Sequence, residues 1–118
     1  MTKPRVLMAT SEIAGYMGAS LRALAKEAEI AIWSCKRTAF ELPGVRYLDY
    51  ESVPTVEALF EALGDWRPEL YLCGGWADRR YLELAKRLHG AGVRTVLMLD
   101  TPWRGTPKQW LNCVVGRF

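Results

Sequence analysis

Apolar residues along this chain follow two rhythms. Four short segments are apolar at nearly every position: Val6-Leu7-Met8-Ala9, Ile30-Ala31-Ile32-Trp33, Leu70-Tyr71-Leu72-Cys73 and Val96-Leu97-Met98-Leu99. Strands apolar on both faces are what a sheet covered by helices on both sides requires. Val45-Arg46-Tyr47-Leu48 is a weaker fifth strand and reads as an edge. Between these segments the spacing becomes helical. Leu21, Leu24, Ala25 and Ala28 follow i, i+3, i+4, i+7, as do Val56, Leu59, Phe60 and Leu63, and again Tyr81, Leu84, Ala85 and Leu88. Thr55 and Asp78 are placed to accept from first-turn amides as N-caps, and Gly64 and the Gly90–Gly92 stretch to end helices. Thr106-Pro107 sets an N-cap before a proline at the first helical position, which predicts a fourth helix.

The order is β-α-β-β-α-β-α-β-α. With right-handed crossovers this predicts an α/β fold: a Rossmann-like, doubly wound, five-stranded parallel sheet of order 3-2-1-4-5, with helices on both faces in three layers. The switch point falls between strands 1 and 4. The link from Ser34 to Gly44 is too short for a regular helix and is read as a loop or a single turn.

Length fits this picture, since 118 residues suit one domain spanning 1–118. The net charge of +3 is spread out, with Lys36-Arg37, Arg79-Arg80 and Lys86-Arg87 the only adjacent basic pairs. Nucleic-acid binding calls for a concentrated basic stripe, so no nucleic-acid partner is expected. Cys35, Cys73 and Cys113 form no CxxC pair, and an odd count without a secretion signal points to reduced thiols. The single His89 completes no zinc set and suits the last turn of the third helix. The first apolar run is too short for a signal core or a membrane span, so the expectation is a cytoplasmic chain with no transmembrane segment.

In open parallel sheets, ligands bind beyond the carboxyl ends of the strands. Three loops qualify: Thr10 to Ser20, Gly74 to Asp78 and Asp100 to Thr106. Gly15 and Gly18 precede the first helix; they either turn backbone amides toward a phosphate or simply make a tight turn. Trp76 either stacks on a sugar or base or packs over the sheet edge, while Asp78 caps its helix with or without a ligand contact. Asp100 is either a general base for an acceptor hydroxyl or the start of an Asp-Thr-Pro turn. Trp103 and Arg104 suit a sugar face and a phosphate, or Trp103 packs beneath a further domain.

At these loops the sequence resembles the N-terminal domain of family-4-type glycosyltransferases, two-domain enzymes of the GT-B fold. The most specific parts are Gly75-Trp76-Ala77-Asp78 with Tyr81-Leu82, and Asp100-Thr101-Pro102-Trp103-Arg104-Gly105-Thr106-Pro107-Lys108-Gln109. The resemblance implies an acceptor-binding half of an enzyme that moves a sugar from a nucleotide-sugar donor to an acceptor hydroxyl, without metal or bound cofactor. Gly15 and Gly18 would lie near the donor phosphates. Trp76, Asp78, Trp103 and Arg104 would line the acceptor side, and Asp100 would be catalytic. The first loop lacks the adjacent glycine pair common in that family, and no histidine stands near strand 5. The partners implied are a sugar or sugar-nucleotide substrate and a C-terminal donor-binding domain missing from the chain, which stops soon after Trp110 and reads as a truncated fragment expected to be inactive alone. The competing expectation is a stand-alone flavodoxin-like binding or docking module, with self-association through the exposed cleft surface.

Overall fold

The computed structural model describes residues 3–11, 15–34, 43–74, 78–98 and 105–114. In chain order the elements are β1 (Arg5–Thr10), α1 (Gly15–Leu24), β2 (Glu29–Ser34), β3 (Val45–Asp49), α2 (Val56–Leu63), β4 (Leu70–Cys73), α3 (Arg79–Gly90), β5 (Arg94–Leu97) and α4 (Pro107–Val114). The five strands form one parallel sheet in the order β3-β2-β1-β4-β5, as the alternation of patterns requires.

Both faces of the central strands are buried, and successive residues serve opposite layers. From β1, Leu7 and Ala9 join Ala31, Trp33, Tyr71 and Cys73 beneath α2 and α3, which contribute Val56, Leu59, Leu63, Tyr81, Leu84 and Leu88. Val6 and Met8 turn the other way, with Ile30 and Ile32, toward Leu21 and Ala28, and Met17 and Leu24 pack on that layer from α1. Each large apolar side chain so buried contributes about 1.5–3 kcal/mol.

Two elements differ in extent from the sequence reading. α1 starts at Gly15 and ends at Leu24, so Gly15 and Gly18 belong to the helix and not to a turn before it. The apolar stripe runs Met17–Leu21–Leu24, four and then three apart; the glycines hid its beginning because they carry no side chain to mark a face. Ala25 to Ala28 form hydrogen-bonded turns back onto α1, with Ala28 N–H donating to Leu24 O at 2.9 Å, before Glu29 N–H donates to Pro4 O and opens β2. At the other end of the sheet, β5 begins at Arg94, two residues before the apolar run. Arg94 and Thr95 pair with Leu70 and Tyr71 through their backbones, and an edge strand needs no apolar side chain for that.

The caps expected of α2 and α3 are in place. Thr55 Oγ1 accepts from Ala58 N–H at 3.1 Å to start α2. α3 ends by the Val93 N–H donating to Leu88 O at 2.9 Å while Gly92 takes a left-handed φ of 84°.

Candidate functional site at the carboxyl edge of the sheet

The strand ends bring a set of polar groups to one edge. Thr10 and Ser34 are register partners at the ends of β1 and β2, and both hydroxyl residues are buried. Ser34 Oγ donates to the Ser11 carbonyl at 3.3 Å, and its own carbonyl accepts from Tyr50 N–H at 3.2 Å. The end of β2 thus ties down both the exit from β1 and the exit from β3. Asp49, which closes β3, accepts from Ser52 N–H at 3.0 Å and turns the chain toward α2.

At the switch point, β1 and β4 stay joined one residue beyond the ladder, where Gly74 N–H donates to Ala9 O at 2.7 Å. A Cβ at position 74 would collide with that carbonyl and lie 3.0 Å from Thr10 Cα and Cβ. Glycine is therefore required here by close backbone approach. Any crevice between the two strands opens only beyond Thr10 and Gly74.

Across from it, α3 begins on Asp78. Its Oδ1 accepts from the Arg80 backbone N–H at 2.9 Å, the N-cap bond, and also from Arg80 Nε at 3.2 Å. Oδ2 accepts from Arg80 Nη2 at 3.1 Å. The Arg80 guanidinium lies 3.8 Å from the centre of the Tyr50 ring, and its Nη1 donates to the Pro54 carbonyl at 3.4 Å. Beneath it, Trp33 meets Tyr50 and Tyr81 edge-on, at centroid distances of 5.0 and 6.2 Å. Trp33 Nε1–H donates to Val53 O at 2.8 Å. This aromatic cluster joins the ends of β2 and β3 to the starts of α2 and α3. A little further along β4, Tyr71 donates its hydroxyl to the Tyr81 carbonyl at 3.0 Å. Burial, then Cys73 and the charge of Asp78, push the Tyr71 hydroxyl far above its ordinary range.

Of the residues singled out from sequence, Asp78 is at this edge and caps α3 as expected. Gly15 heads α1, where first-turn amides have no intrahelical acceptor, whereas Gly18 comes three residues later and is buried. Trp76, Asp100, Trp103 and Arg104 lie outside the described residues, as does Cys35. His89 is exposed in the last turn of α3, and Cys73 is buried at the end of β4. Sequence reasoning missed Arg80 and Tyr50. A basic residue in a first helical turn reads as a solvated charge, and the only hint was Asp78 two positions before it.

Among the described residues, no group of three or more His, Cys, Asp or Glu is placed to hold a metal ion, and no helix is long and apolar enough to cross a membrane. Among the described residues, two clefts lie away from the carboxyl edge. One of about 450 Å³ is lined by Arg22, Ala25, Lys26 and Pro43. The other, about 550 Å³, sits at the amino ends of β4 and β5 and is lined by Phe60, Arg67, Leu88 and Val93 among others. Neither gathers the polar groups found at the carboxyl edge. Compared with known proteins, the chain matches no family model, no curated protein and no solved structure.

Proposed function

We propose that this domain is the acceptor-binding, N-terminal half of a glycosyltransferase that moves a sugar from a nucleotide-sugar donor to an acceptor hydroxyl. The observation that carries the reading is the motif Gly75-Trp76-Ala77-Asp78, which falls in sequence between β4 and α3, with Tyr81-Leu82 in the first turn of α3, beside the switch point of a 3-2-1-4-5 sheet. Ligands of open parallel sheets bind at that place. On this reading Asp78, with Trp76, Trp103 and Arg104, contacts the acceptor, and Asp100 takes the proton from the attacking hydroxyl. Gly15 serves the donor diphosphate through the amino end of α1, where unpaired amides and the helix dipole favour an anion; Gly18 supports the same helix from its buried side. A separate donor-binding domain and a cytoplasmic location belong to the same proposal.

The test is a titration of the domain by NMR and calorimetry against UDP, GDP, their sugars and a panel of acceptor sugars. Shifts at Gly15, Trp76 and Asp100 are expected, and which ligands cause them separates the donor side from the acceptor side. Silence across the panel would overturn the proposal. A second reading, a protein-docking module without catalysis, is favoured by Trp110 and Leu111 on α4, exposed at 58% and 60%. It requires silence in the titration together with association that grows with protein concentration in sedimentation.

A further inference from the structure

Asp78 is held in two ways that differ in kind. The cap bond to the Arg80 amide engages one oxygen and leaves the rest of the carboxylate unconstrained. The guanidinium of the same Arg80 closes on both oxygens, and a planar fork fixes a carboxylate in a way a single bond does not. Arg80 can serve as a fixed jaw because it is itself fixed. The Tyr50 ring lies under it, the Pro54 carbonyl takes one of its N–H groups, and Tyr50 rests on buried Trp33 and Tyr81.

We infer that Arg80 is the positioning residue of Asp78, and that the pair presents an acceptor and a donor side by side, suited to two neighbouring hydroxyls of a sugar or other polyol. The ligand part of this inference rests on the proposed role of Asp78 as an acceptor contact. Counting bonds gives the chemistry. Oδ1 accepts two and is filled, while Oδ2 accepts one and has capacity for another. Nη2 gives one N–H to Oδ2 and retains a second. Both side chains reach solvent, Arg80 at 40% and Asp78 at 28% exposure. One hydroxyl of a vicinal pair donates to Oδ2 while its neighbour accepts from Nη2.

The experiment compares the wild type with Arg80→Met and Arg80→Lys, isotope-labelled, and reads the three-bond couplings that report the Asp78 side-chain rotamer. The wild type should show one rotamer and both variants an average. Thermal midpoints should stay within about 5 °C, as expected for loss of a partly exposed ion pair. Lysine keeps the charge and loses the fork, so rescue by Arg80→Lys would mean that charge alone matters and would overturn positioning. A single rotamer retained in Arg80→Met would overturn it too, since the cap bond would then suffice. The second arm titrates the methyl glycosides of glucose, galactose and mannose and their singly deoxygenated counterparts. Binding that weakens about tenfold in both variants, and on removal of one of two adjacent hydroxyls, is the expected result. Equal binding of the deoxygenated sugars would overturn the diol assignment. A wild type silent to every glycoside would overturn the acceptor reading of Asp78 and the diol with it, whereas the couplings judge the positioning role on their own.

Discussion

Tyr71 is wholly buried, and its proton is held by the fold. The unfolded chain releases that proton near pH 10, while the folded chain resists releasing it. The stability tied to the neutral hydroxyl is therefore complete below about pH 10 and is lost as the pH rises further, because the unfolded state then binds fewer protons than the native one. Denaturation midpoints measured from neutral to strongly alkaline pH should hold level and then fall. Tyr71→Phe should flatten part of that fall, at a cost of about 1 kcal/mol at neutral pH for the lost bond to Tyr81. Residues of this kind are legible in sequence only as apolar positions. Tyr71 stood in an all-apolar run, and Asp78 stood before a helical period, so both were found. Arg80 was not, because what distinguishes it is the ring of Tyr50, thirty positions away in sequence and brought near only by the return of β4 beside β1.

Among the elements, α3 separates two uses of glycine two positions apart. Gly90 is the last residue of the helix, its φ is not positive, and a Cβ there meets nothing within 4 Å. Gly92 has equal space but a left-handed backbone. Gly90→Ala should stabilise the domain by about 0.5–1 kcal/mol, and Gly92→Ala should destabilise it by about as much or more. Urea unfolding of the two variants, with unchanged denaturant dependence, checks the opposite signs. Element boundaries were read well where side chains report them, as in α2, whose stripe Val56–Leu59–Leu63 fills the core. They were misread where backbone alone decides. Gly15 starts α1 without a side chain to mark it, and Arg94 enters β5 by its ladder bonds to β4.

For the whole molecule, topology was the most legible property, since strands apolar on both faces admit few arrangements other than a parallel sheet between helices. The two sides are nevertheless unequal. Among the described residues, fourteen buried residues form the layer under α2 and α3, and six form the layer under α1. Native-state hydrogen exchange should show α1 opening at least about tenfold more often than α3, roughly a 1.4 kcal/mol gap; equal protection would contradict this view of the two layers. The order of the strands also has a consequence in time. β1 is made first and lies at the centre, with Val6 beside Ile30 on one side and Leu70 on the other. A ribosome adding about 5–20 residues per second delivers β4 roughly 3–13 s after β1. β2 follows roughly 1–5 s after β1 and can then cover one edge of β1, while the other edge, flanked by Val6, Leu7 and Met8, is exposed to any strand it meets until β4 is made. The nascent chain is thus most vulnerable to mispairing before its second half exists, and slowing synthesis between β3 and β4 would lengthen that exposure.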